Sequence, residues 1–210
     1  MYLMTRSARL NSAAGVEWAV RILEQARSVT GNDVSLWATA YSAGFGTVTW
    51  TSWWADLTTM DAAFAGLQAD ATYQSLGAEG RTHIEGAVDD TLWQQVAGEL
   101  DPERAGAAQC VSVVNAVCAS GNAVRALTAG VEIAAKATAI TGVPTLFSRG
   151  LTGPYGVIGW LSAYTSLGEF EEAQNKLAAD AGWLSYLDTL DGCFVEDAAV
   201  TQQTLYRKLA

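Results

Sequence analysis

His83 is the single histidine of a 210-residue chain, and Glu85 stands two positions after it. On a strand, that spacing puts both side chains on one face. An imidazole beside a carboxylate is a general base with a group to orient it. His83 and Glu85 are therefore the candidate catalytic pair. Other chemistry-bearing patterns are missing from the sequence. There is no GxSxG elbow, and neither Gly44-x-Gly46 nor Gly153-x-x-Gly156 is followed by the helix that a phosphate loop requires. The cysteines, Cys110, Cys118 and Cys193, lack CxxC spacing and read as reduced core thiols. Neither a metal nor a cofactor is expected.

Eight Trp and seven Tyr against one His suit a protein that encloses a flat apolar molecule better than one that holds a metal. Strand alternation puts Trp50, Ser52 and Trp54 on one face, and Trp160, Ser162 and Tyr164 repeat the pattern. Trp50, Trp54, Trp160 and Tyr164 are thus candidate ligand-binding residues, the alternative being that the rings pack as core against the chain's own helices. The position matching His83 in the later pattern is Phe194, which has no proton to exchange. The pocket is accordingly expected beside Trp50, Trp54 and His83, with its counterpart more completely filled.

The elements that must hold these residues come in two sets. Sliding the sequence on itself by 110 places Trp50 on Trp160 and Leu57 on Leu167; at 111, Thr30-Gly31 falls on Thr141-Gly142. This marks two diverged copies, residues 1–98 and 109–210, with a polar linker at 99–108. In each copy, alternation and helical spacing predict the order βαββαβ. The first has strands at 2–10, 34–41 and 47–54, a helix ended by Gly31, a helix capped by Asp56, and a closing strand at 81–88. The second has strands at 110–118, 145–149 and 155–164, a helix over 124–140, a helix opened by the capping box Ser166-Leu-Gly-Glu169, and a closing strand at 192–196. The fold class is α+β, with tandem ferredoxin-like repeats forming an intramolecular α/β barrel.

Gly44-Phe-Gly-Thr-Val-Thr-Trp50 and Gly153-Pro-Tyr-Gly-Val-Ile-Gly-Trp160, each followed by a helix beginning at Leu57 or Leu167, resemble the dimeric α/β-barrel superfamily of antibiotic-biosynthesis monooxygenases and NIPSNAP-like proteins. The resemblance covers nearly the whole chain. It implies a cofactor-independent oxygenase, cyclase or isomerase acting on an aromatic or polyketide-like compound. The alternative is a non-catalytic module that binds a ligand or assembles with a partner.

Two helices carry a second apolar stripe. Trp18, Ile22 and Val29 lie opposite Val16, Val20 and Leu23, while Ile133 and Ile140 lie opposite Val124, Leu127 and Val131. Trp18, Ile22, Val29, Ile133 and Ile140 are thus candidates for an interface with a second copy or a protein partner. A net charge of -10 with scattered basic residues argues against nucleic acid and membrane surfaces. No apolar run reaches the ~20 residues of a membrane helix, and residues 1–6 lack a signal-peptide layout. The expected ligand is a small apolar or aromatic molecule, and the expected location the cytoplasm.

Overall fold

The computed structural model describes residues 1–210 except Ala43, Phe45 and Ala198, so part of the predicted hairpin loop at 42–46 lies outside the described residues. The chain forms two compact units, Met1–Trp93 with Tyr206–Ala210, and Gln94–Leu205.

The first unit runs β1 (Tyr2–Leu10), α1 (Ala14–Thr30), β2 (Val34–Ala40), β3 (Thr47–Trp54), α2 (Leu57–Ala69), α3 (Ala71–Glu79), a 3-10 turn at Gly80–Thr82, and β4 (Ile84–Ala97), whose end enters the second unit. The second continues with α4 (Pro102–Ala107), β5 (Cys110–Val117), α5 (Ala123–Thr141), β6 (Thr145–Gly150), β7 (Val157–Tyr164), α6 (Leu167–Ala179), α7 (Ala181–Asp188) and the start of β8 (Gln202–Lys208). The hydrogen-bonded strand order is β1-β3-β2-β8-β5-β7-β6-β4, which closes on itself. The chain is an α+β barrel, as the sequence predicts.

Local signals account for most boundaries. Gly31 (φ 65) and Gly142 (φ 77) end α1 and α5 in the left-handed conformation that glycine adopts without a Cβ clash. Asp56 caps α2 by accepting the Thr59 amide at 2.8 Å. Ser166 caps α6 through the Glu169 amide at 3.1 Å, but the Glu169 carboxylate reaches back to the Thr165 amide at 2.6 Å, one residue before the cap that a full capping box would serve. The polar stretch 99–108 contains α4, which Asp101 caps and Pro102 opens.

Both closing strands differ from the sequence reading. Arg81 and Thr82 belong to the 3-10 turn that finishes α3, and the strand expected at 81–88 is β4, running on to Ala97. At 192–196 there is one isolated bridge, Cys118 with Phe194, and the strand itself lies at Gln202–Lys208. Arg6 on β1 meets the carboxylate that a partly buried guanidinium requires: Asp90 accepts from Nε at 2.7 Å and from Nη2 at 2.6 Å.

The predicted helix faces are also revised. On α5, Val124 is 81% exposed and Val131 39%, whereas Ala126, Ala129, Gly130, Ala134 and Ala137 are buried. Small residues let the helix approach its sheet. A Cβ on Gly130 would lie 2.1 Å from Phe147 Cζ, a separation that real Cβ atoms never adopt. On α1, Trp18 is 2% exposed and packs in the first unit's core with Leu23, Leu36 and Trp50. Ile22 packs against that core, and Ile133 against the core of Phe147, Ile158 and Trp160. Val29 and Ile140 are half-buried. The apolar stripe proposed as an interface is covered at Trp18 by the unit's own elements, because α3 and the turn after it close over the indole. Trp18 Nε1 donates to the Leu76 carbonyl at 2.8 Å.

Candidate active site

The second unit contains a cavity of about 860 Å³ between one face of β5, β6 and β7, the helices α5, α6 and α7, and the segment 190–203. Its walls are aromatic: Trp160 and Tyr164 from β7, Trp183 from α7, and Phe194 from the segment after α7. Trp160 is fixed from several sides. Its Nε1 donates to the Gly130 carbonyl at 2.8 Å. Phe147 stacks on it at 5.5 Å, and Phe194 meets it edge-on at 5.8 Å and 88°.

Helix α7 is tied to α5 by the Tyr186 hydroxyl, which donates to Glu132 at 2.8 Å, and by Lys136 Nζ, 4.7 Å from the Tyr186 ring centre. Burial, reinforced by the neighbouring Glu132 carboxylate, pushes the Tyr186 phenol up to about 12. Asn122 and Arg125 of the α5 N-terminal region donate to the Gly192 and Thr189 carbonyls at 3.1 and 2.8 Å, holding the stretch that leads to Phe194.

A row of polar side chains crosses the sheet face of the cavity. Strand register sets Ser162 beside Ser112 on β5 and beside Thr145 on β6. Thr145 and Ser162 hydroxyls are 2.9 Å apart, and Gln203 Nε2 donates to Ser112 Oγ at 2.9 Å. The Tyr164 hydroxyl contacts Ser162; burial, with contributions from Cys110 and Glu169, raises the phenol pKa despite the opposing effects of Ser162 and Arg104. Among the described lining residues there is no Lys, Arg or His, while Asp191, Glu196 and Asp197 stand exposed at the rim. This charge pattern favours neutral or cationic guests over anions.

In the first unit the matching space is occupied. Trp50 Nε1 donates to the Ala19 carbonyl at 3.0 Å, as Trp160 does to Gly130, so the two helices correspond at an offset of 111. At that offset Trp18 corresponds to Ala129. Trp18 meets Trp50 edge-on at 5.7 Å, stacks on His83 at 5.9 Å and lies against Gly80. The counterparts of Leu76, Gly80 and His83 are Leu187, Asp191 and Phe194, and all three line the cavity. Ala129 brings a methyl group where Trp18 brings an indole, and is itself buried rather than part of the cavity wall. The polar row differs too: Ser52 stands between Met4 and Val34, where Ser162 stands between Ser112 and Thr145.

This cavity lies in the second unit, where the more completely filled space was expected. Trp160 and Tyr164 line it. Trp50 and Trp54 are buried, Trp54 donating to Ser52 at 2.8 Å and packing against Phe64. His83 follows the 3-10 turn, with Nε2 3.4 Å from Glu79, itself paired with Arg21. Glu85 is exposed and pairs with Arg9 at 3.3 Å. The chain turns at His83 before β4 begins at Ile84, so the period-two argument does not apply to the pair. The sequence reading missed Ser112, Thr145, Gln203 and Trp183. The signal available was Trp18 against Ala129 and Val34 against Thr145 when the sequence is slid on itself by 111.

No family model matches the chain, and no curated protein matches its sequence. Solved structures match its fold. A candidate monooxygenase of Fusobacterium nucleatum superposes with a TM-score of 0.68 at 8% identity, over 100% of this chain and 92% of that one. An anthrone oxidase-like protein gives 0.64 at 10% identity, over 100% and 91%. A major regulator of staphylococcal pathogenesis gives 0.55 at 7% identity, over 100% of both chains. At these identities the likeness defines the fold, an α+β barrel on which oxygenase-type proteins and a regulator are both built. Among the described residues, no helix is long and apolar enough to cross a membrane.

Proposed function

We propose that the chain is a small-molecule enzyme of the oxygenase or oxidase type that takes a flat aromatic or polyketide-like compound into the cavity of its second unit. The observation that carries this reading is the cavity itself: about 860 Å³, walled by Trp160, Tyr164, Trp183 and Phe194, with a hydroxyl row on one side. Volumes of this order, mostly apolar with a few converging polar groups, are typical of small-molecule sites. The names of the two oxygenase-type structural neighbours support the class of reaction. We read the two units as diverged copies of one βαββαβ segment, the first keeping Trp18 as core and the second having exchanged it for a site. Cys110, Cys118 and Cys193 form no disulfide among the described residues, which is in keeping with a reducing cytoplasm.

A second reading, a ligand-binding module without catalysis, is favoured by one observation. Tyr164 is the one titratable group that lines the interior of the cavity among the described residues, the carboxylates lying at its rim. Anthrone under air separates the two readings. Oxidation of its methylene to a ketone consumes one O₂ and yields anthraquinone and water. Enzyme-dependent oxygen uptake with matching anthraquinone absorbance supports the enzyme. Saturable binding without uptake supports the module, and no binding overturns the cavity as a site.

A further inference from the structure

We infer that Tyr164 is the specificity residue of this cavity, its hydroxyl donating a hydrogen bond to a ring ketone or phenol oxygen, so that the guests selected are oxygenated aromatics rather than aromatic hydrocarbons. This rests on the cavity being a small-molecule site. Tyr164 is buried, and its ring is held edge-on to Phe170 at 5.4 Å and packed among Cys110, Val143, Ala173 and Leu205. A ring clamped in this way presents its hydroxyl at a fixed point, which lowers the ordering cost of the contact.

The hydroxyl is not isolated. It touches Ser162, whose Oγ lies 2.9 Å from Thr145 Oγ1. Each hydroxyl has one proton and two acceptor lone pairs, so the row can reorient to leave the Tyr164 proton for a guest. A phenol is protonated at neutral pH and can donate, and burial raises its pKa further. The first unit has no such donor at the matching position: Trp54 directs its single N–H to Ser52 at 2.8 Å and has no second polar atom. Met4 and Val34 stand there in place of the flanking hydroxyls. The exchange of three side chains between the units thus adds polar groups at one wall of an otherwise apolar space.

A hydrocarbon guest would leave these groups desolvated and unpaired, which is the basis of discrimination in sites built around a hydrogen bond. Anthrone and 9,10-dihydroanthracene differ by one ketone in place of one methylene, and equilibrium dialysis of each against the full chain tests the assignment. Wild type is expected to bind anthrone about tenfold more tightly. Tyr164→Phe is expected to remove that preference by weakening anthrone alone, with unchanged dihydroanthracene binding showing an intact cavity. Should Tyr164→Phe lose both ligands, Thr145→Val serves in its place, with the preference falling about threefold. Equal wild-type affinities, or a preference that survives Tyr164→Phe, overturns the assignment while leaving the site. Failure of both compounds to bind wild type overturns the site and the assignment together.

Discussion

Trp18→Ala separates a core tryptophan from an interface tryptophan. The side chain is 2% exposed, so the mutation removes nearly all the buried surface of an indole. At ~200 Å² and ~25 cal/mol per Å², the transfer contribution is about 5 kcal/mol. A compact denatured state lowers this by roughly a quarter. The lost edge contact with Trp50 at 5.7 Å adds about 1 kcal/mol, and the Leu76 carbonyl loses its donor. A destabilisation of about 5 kcal/mol results, at the upper end of the ~3–5 kcal/mol usual for a buried tryptophan. With a urea dependence of ~2 kcal/mol per M, the midpoint should fall by about 2.5 M. The space left is lined by Trp50, His83 and Gly80, and a cavity of that kind accepts a small aromatic ring. Millimolar indole should therefore raise the midpoint of Trp18→Ala and leave that of wild type unchanged. A midpoint loss corresponding to less than about 1 kcal/mol, accompanied by a change in sedimentation, would refute the packing argument and return Trp18 to an interface.

Gly130→Ala should cost about 1–3 kcal/mol or more in urea titration, because Phe147 Cζ lies 2.1 Å from the added Cβ, whereas Gly77→Ala on α3, with no atom within 4 Å, should gain about 0.5–1 kcal/mol. A similar response at both sites would contradict the close approach of α5 to Phe147. At Glu169, burial raises the carboxyl pKa, but Arg104 at 2.8 Å and the Thr165 amide and hydroxyl outweigh it, leaving the pKa below the ordinary 4.5. A depressed carboxyl stabilises the fold above its unfolded pKa, so Glu169→Gln should be about 1 kcal/mol less stable at pH 7, the gap closing as pH falls below about 4.5. A gap independent of pH would disprove the linkage. If turnover resides in the second unit, His83→Ala should leave anthrone oxidation within about twofold of wild type; a loss of ~100-fold would instead identify His83 as a general base.

What local interactions decide was legible in the sequence. Alternation located β1, β2, β3, β5, β6 and β7, and glycine, aspartate and serine placed an end of α1, α2 and α6, because caps and side-chain periodicity act within a few residues. The closing strands were legible only in part: the strand read at 81–88 overlaps the start of β4, and the one read at 192–196 misses β8. Ile84–Ala97 and Gln202–Lys208 are strands in a closed order of hydrogen-bonded neighbours distant in sequence, and the edges they complete carry no local mark. Helix faces were misread for a related reason. Hydropathy favours Val124 and Val131, but the steric demand of Phe147 and Trp160 selects the alanine and glycine face of α5. The aromatic-serine pattern on β3 and β7 pointed to both units alike. Only the docking of the helices decided that Trp18 fills the space beside Trp50 and that Trp160 and Tyr164 line a cavity, since the volume of a side chain matters only once the residues around it have been brought together.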